Sequence, residues 1–240
     1  FALVENQGHI TVNTNTPSQP LKEQIINQAL KFHVQGNISE AKKYYQIFIN
    51  QGFEDARVFT NYGLILGDIG KLKEAEFLHR KAISIRPDYA NAYSNRGIIL
   101  KNLGKLKEAE ICIRKALELN PKFANAYLNL GNLLFYQGDL KEAKSSLYKA
   151  IEMNPNLAQA HLSLGIVLGD LGNLLEGERF IRKAIKIKSN FAEAYFSLST
   201  IELLKGDYNS GLKHYEFRSK KKKPSTLHAK PIIKISEDNI

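Results

Sequence analysis

Apolar and small residues return along this chain at three- and four-residue steps, and glycine breaks the pattern at regular intervals. Between 90 and 123, the run Ala90 to Asn102 carries Tyr93, Gly97 and Leu100 on one stripe. After Leu103-Gly104-Lys105, the run Leu106 to Leu119 carries Ala109, Cys112, Ile113 and Ala116. That spacing predicts two amphipathic helices. Gly104 suits the left-handed position that ends a helix, having no Cβ to clash. Asn120-Pro121 stops the second helix, because proline disfavours helical geometry in the residue before it. The predicted unit is a helix–turn–helix hairpin.

The same unit recurs. Gly36, Gly70, Gly104, Gly138, Gly172 and Gly206 stand 34 residues apart, as do Gly63, Gly97, Gly131 and Gly165. Ala41, Ala75, Ala109 and Ala143 share the period, continued by Gly177 and Gly211, and so do Ala82, Ala116, Ala150 and Ala184. Pro87, Pro121 and Pro155 form one more series. Small residues such as Gly97 and Ala109 let two helix backbones approach closely. One hairpin cannot bury its own apolar face, so neighbouring hairpins must stack.

With these series in place, the chain resembles the tetratricopeptide repeat family. Unit 124–157 carries its pattern as Tyr127, Leu130, Gly131, Leu134, Ala143, Leu147, Ala150 and Pro155. Unit 56–89 matches with Phe59, Gly63, Leu66, Ala75, Ala82 and Pro87. Unit 158–191 keeps His161, Leu164, Gly165 and Ala184 but has Gly177 for Ala and Ser189 for Pro. The first unit, 22–55, is degenerate, with Ile25, Ala29, Phe32 and Phe48 at the pattern positions. The last, 192–219, has Ser199 for Gly, Glu202 at a usually apolar position and Gly211 for Ala. The resemblance implies an all-α fold, a right-handed solenoid of six 34-residue hairpins: 22–55, 56–89, 90–123, 124–157, 158–191 and 192–219.

The ends differ from the array. Residues 1–21 are rich in Asn, Thr, Gln and Pro without periodicity and are expected to form a flexible lead-in. Residues 220–240 are expected to be a basic tail or linker. From 218 on, Arg218 and six lysines face only Glu237 and Asp238, so half of the chain's net charge of +10 gathers there. The run Lys220 to Lys223 has no stacking aromatics interleaved, so nucleic acid is not an expected partner. The final helix, about 208–219, would carry Tyr208, Leu212 and Tyr215 on one face. That free face would meet the tail, another domain or another copy. The first residue is Phe, and Tyr215-Glu216-Phe217-Arg218 resembles a segment that closes bacterial arrays before a catalytic domain. The expectation is a piece of a longer protein. No stretch nears 18 consecutive apolar residues, so no membrane span is predicted. A single cysteine, Cys112, suits a reducing, cytoplasmic setting.

Chemistry is sparse. No P-loop, dinucleotide-binding glycine pattern or His-Glu-x-x-His is present, so no catalytic activity is expected of this chain. No two of the six histidines are four residues apart, and one cysteine cannot build a zinc site. No cofactor or metal is expected. His79, His161 and Cys112 read as packing residues.

The informative polar series is Asn27, Asn61, Asn95 and Asn129, continued by Ser163 and Ser197, on the first helix of each hairpin. The resemblance places first helices along a concave groove. There an asparagine ladder pairs with the backbone of an extended peptide through its donor and acceptor. Arrays of O-linked N-acetylglucosamine transferases have such a ladder. The alternative is that these asparagines cap local backbone. The same register adds Arg57, Asp68, Asn91, Ser94, Lys101, Asn102, Asn125, Asn132, Tyr136, Gln159 and Asp170 to the groove. Chaperone-binding arrays use a lysine one residue before the ladder. Here those positions hold Ile26, Thr60, Ser94, Leu128, Leu162 and Phe196, so a carboxylate clamp of that type is not expected. The expected function is a scaffold that binds a protein or peptide in the groove. The alternative is a substrate-recruiting arm for a glycosyltransferase or sulfotransferase domain in cis.

Overall fold

The computed structural model describes residues 19–217. The lead-in up to 18 and the basic tail with its lysine run lie outside the described residues. Within them there are twelve α-helices and no strand: α1 (Gln19–Val34), α2 (Ile38–Asn50), α3 (Ala56–Asp68), α4 (Leu72–Ile85), α5 (Ala90–Asn102) and α6 (Leu106–Leu119) come first. They are followed by α7 (Ala124–Gln137), α8 (Leu140–Met153), α9 (Ala158–Asp170), α10 (Leu174–Ile187), α11 (Ala192–Leu204) and α12 (Tyr208–Tyr215). Consecutive helices pair into the six expected hairpins. The helix bounds predicted for 90–119 are the observed ones. The first helix begins at Gln19, ahead of the boundary placed at 22.

Local chemistry sets the helix ends. Asp139 caps α8 by accepting a hydrogen bond from the Glu142 amide at 3.0 Å, and Asp207 does the same for Ser210 at 3.1 Å. Glu74, Glu108, Glu142 and Glu176 sit in the first turns of the second helices, where the helix dipole favours negative charge. The turn glycines adopt left-handed backbone, Gly104 at φ 78°. Any Cβ there would be strained.

The chain divides into two compact units, one ending at Glu54 and the other beginning at Asp55. In the first, α1 and α2 bury Ile25, Ile26, Ala29, Ala41, Tyr45 and Phe48. His33 Nδ1 lies 3.1 Å from the Tyr45 hydroxyl, and Lys22 donates to the Glu54 carbonyl at 2.8 Å. In the second, each first helix packs on its own second helix, each second helix on the next first helix, and first helices on one another from α3 to α9. The core between α5 and α9 is made of leucines and alanines, among them Leu130, Leu133, Leu134, Leu147, Leu164 and Leu168.

The close-approach glycines do what their spacing predicts. A Cβ on Gly97 would sit 2.4 Å from Ile113 Cγ1 and 3.1 Å from the Ala109 carbonyl. The departure at Gly177 has a physical reason in the α9–α10 hairpin. A Cβ on Gly165 would meet the Gly177 carbonyl at 2.8 Å, and one on Gly177 would meet the Gly165 carbonyl at 2.7 Å. Two glycines face each other, and the backbones close in further than at Gly131, where the Ala143 carbonyl is 3.2 Å away.

Candidate binding face of the first helices

On an α-helix, residues i, i+4, i+7 and i+11 share one stripe. On α3 this stripe is Arg57, Asn61, Leu64 and Asp68; on α5 it is Asn91, Asn95, Ile98 and Asn102. On α7 it is Asn125, Asn129, Asn132 and Tyr136; on α9 it is Gln159, Ser163, Ile166 and Asp170. Because α3, α5, α7 and α9 pack in succession, the four stripes lie side by side. Asn91 and Asn125 are exposed, Asn102 and Asn132 are half-buried, and Tyr136 is 57% exposed. Asn27 belongs to the other unit, on α1, and is exposed.

The members of the series are not equivalent. Asn61 and Asn95 are half-buried, and neither amide has a hydrogen-bond partner among the described residues. Asn129 instead donates through Nδ2 to Ser94 Oγ at 3.0 Å, tying α7 to α5. Ser94 is buried, and one repeat earlier its place is taken by Thr60, whose buried Oγ1 has no partner. Ser163 is buried. Ser197 turns back on its own helix and donates to the Glu193 carbonyl at 2.9 Å. Arg57 folds onto the α3 cap, its Nη2 2.8 Å from Asp55 Oδ2. The positions before the ladder, Ile26, Thr60, Ser94, Leu128 and Leu162, are all buried, so they serve packing.

Two groups on this side are charged and partly buried. Burial pulls the Lys101 ammonium below its usual pKa, and burial raises the Asp170 carboxyl above the usual range. Asp170 Oδ1 is sealed from solvent without a hydrogen-bond partner.

The packing residues form a second polar system away from this face. His79 is completely buried, with both ring nitrogens unpartnered. Burial, and then the nearby Arg96 charge, push its pKa down to about 4. The Cys112 thiol is buried and its pKa is raised, chiefly by that burial. His161 is buried and meets the Pro155 carbonyl through Nε2 at 2.9 Å. Sequence reasoning missed two ionic joints. Arg96 Nη2 reaches Glu76 Oε1 at 2.8 Å, and Arg182 Nη2 reaches Glu202 Oε1 at 2.8 Å. His214 Nδ1 adds a contact to Glu202 Oε2 at 2.7 Å. The signal was present: Arg96 and Glu202 replace leucines of the pattern, with opposite charges twenty residues away. No helix among the described residues is long and apolar enough to cross a membrane.

Comparison with known proteins bears on the hairpins. Models of the family described as "Tetratricopeptide repeat" match residues 56–89, 90–123, 124–157 and 158–191, more than half of the chain. A search of curated proteins returns no match. Among solved structures, pilF of Pseudomonas aeruginosa is similar with TM-score 0.68 at 17% identity, over 84% of this chain and 98% of that one. The crystal structure of MamA gives TM-score 0.56 at 23% identity, over 70% of this chain and 95% of that one. That of YrrB, a TPR protein with an unusual peptide-binding site, gives TM-score 0.52 at 23% identity, over 72% of this chain and 89% of that one. At these identities the likeness is one of fold.

Proposed function

The chain belongs to the tetratricopeptide repeat family, and from that premise we propose that it binds an extended peptide segment of a partner protein across its first helices. Such arrays are typically scaffolds for protein–protein interaction. The observation that carries the finer reading is the pair Asn61 and Asn95. They occupy the same register on adjacent helices, half-buried, with donor and acceptor both unspent. Amides so placed match the alternating N–H and C=O groups of an extended backbone, whatever its side chains. The peptide-binding site of YrrB is in keeping with this use of the fold.

The capping alternative loses ground at these two residues, because neither amide bonds local backbone. It gains nothing at Asn129 either, whose bond goes to the Ser94 side chain on α5 and spends one of its donors on packing. The ladder therefore divides into two free members, Asn61 and Asn95, and one that is half committed. Each net hydrogen bond contributes about 0.5–1.5 kcal/mol, so the pair sets roughly a tenfold to hundredfold change in affinity.

The test is a displayed random-peptide library selected against the protein, with binders re-measured on variants. Asn61→Ala with Asn95→Ala should weaken the selected peptides about tenfold or more at unchanged helicity. Asn129→Ala should also lower the melting temperature. Binders indifferent to all three changes would overturn the reading.

A further inference from the structure

The face proposed above carries two charges that the protein leaves unmatched. Lys101, next to last in α5, is half-buried and has no hydrogen bond or ion pair among the described residues. Asp170, the last residue of α9, has one carboxylate oxygen sealed from solvent and no hydrogen-bond or ion-pair partner among the described residues. Other charged side chains are matched, on this face Arg57 by Asp55, and away from it Arg96 by Glu76 and Arg182 by Glu202. An unpaired charge losing its water is costly, and an opposite charge arriving from outside relieves that cost. The shifted titrations of both groups report that cost.

Their placement sets the geometry of whatever relieves them. By the 34-residue period Lys101 corresponds to Gly169, the residue before Asp170, so both stand at the same level of their helices. That level is six or seven residues past the ladder, about 10 Å along the helix at roughly 1.5 Å per residue. A ligand backbone lying on Asn95 and Asn129 reaches it with long side chains. Between α5 and α9 lies α7, so the two charges are about 16–20 Å apart for axes roughly 8–10 Å from one another. An extended chain advances about 3.3 Å per residue, and only every second side chain points to the same side. An even spacing that covers the distance is six. The side chains between them would face Asn102, Asn132 and Tyr136, which carry no charge.

We propose that the occupant of this face is an extended peptide bearing an acidic side chain that meets Lys101 and a basic side chain, six residues away, that meets Asp170. The proposal rests on the peptide-binding reading above and adds ligand charge and register to it. Lys101 and Asp170 are then its specificity-determining residues.

The experiment uses four fluorescent ten-residue peptides on one Ser-Gly-Thr background. One carries Glu and Arg six residues apart; the others have Glu, Arg or both replaced by Gln. Each is made in both orders of the charges, with spacings of three and nine as controls, and affinity is read by anisotropy. The Glu/Arg peptide of spacing six, in one order, should bind at least about tenfold more tightly than the doubly neutral one. Lys101→Gln should erase the advantage of Glu and keep that of Arg; Asp170→Asn should do the reverse. Both neutral replacements should fold, and their melting temperatures verify it. Lys101→Glu with Asp170→Lys should invert the preferred order.

Equal affinities for all peptides, still lowered by Asn61→Ala with Asn95→Ala, would overturn the charge register and leave the peptide-binding reading standing. Binding of none, or binding indifferent to those asparagines, would overturn both.

Discussion

The middle of the second unit and its two flanks meet at the same register with different chemistry. At the α6–α7 and α8–α9 joints, Leu130, Leu134, Leu164 and Leu168 are buried in a continuous apolar core. One repeat before Leu130 stands Arg96, and one repeat after Leu168 stands Glu202, whose exposure is 1%. Each flank matches its charge across the joint, Arg96 with Glu76 of α4 and Glu202 with Arg182 of α10. At the second flank Lys205 and Arg182 also bind Glu178, and they hold its carboxyl pKa down against the burial that would raise it. The difference bears on order rather than strength. An apolar joint stacks on any apolar neighbour, whereas a buried charge stacks only where its counter-charge waits. The fold keeps one geometry while its flanks add a charge match that the apolar middle does without.

The middle should be the most sensitive to lost volume. Leu164→Ala removes a completely buried side chain and should cost about 2–5 kcal/mol, with the larger figure if the cavity fails to close. Urea unfolding followed by helical signal measures it, and a cost below that of the flank changes would break the contrast. Next in size is a pH effect at the first flank. His79 takes the place held by Ile113, Leu147 and Ile181 in later repeats. Folded, it takes a proton only near pH 4; unfolded, it does so near 6.5. The unfolded state therefore binds the proton first. The neutral ring's contribution is complete above pH 6.5 and is lost progressively as pH falls from 6.5 to 4, to a total of about 3 kcal/mol. His79→Leu, which converts the position to the central pattern, should remove that part of the acid sensitivity. A variant whose stability falls with acid as steeply as the parent's would refute the assignment to His79.

Much of this was legible in the sequence because the repeat registers itself. The 34-residue period located the helices, the left-handed glycines and the face on which Asn61, Asn95 and Asn129 lie. What was not legible depends on which side chain wins a shared partner. Nothing in the spacing tells that Asn129 spends a donor on Ser94 while Asn95, facing Thr60 at the equivalent place, does not. The letter Glu202 marked a broken pattern, but only the packing of α10 and α12 shows Arg182 and His214 closing on it. Gly177 read as a departure from alanine. Its meaning, a closer α9–α10 approach, needed the distance to the Gly165 carbonyl.

The second flank separates the cost of a broken pair from the worth of the pair itself. Arg182→Met leaves Glu202 buried with His214 alone, and should cost about 2 kcal/mol. That is less than the usual penalty for an orphaned buried charge, because the imidazole stays in place. The loss should show first as faster hydrogen exchange in α11 and α12, the two helices that Glu202 and His214 join. Glu202→Leu, which restores the residue type of Leu168 and Leu134, should cost less than Arg182→Met, although it removes the centre of the network. Arg182 keeps Glu178 and is half exposed, so the buried charge goes and its partner is not stranded. The smallest effect belongs to Arg96→Leu at the first flank. Glu76 retains Arg80 at 3.2 Å, and the new leucine matches Leu130 one repeat on, so stability should stay within about 1 kcal/mol. If Arg96→Leu instead destabilises as much as Leu164→Ala, the ionic joint contributes strength as well as order, and the contrast between flank and middle collapses.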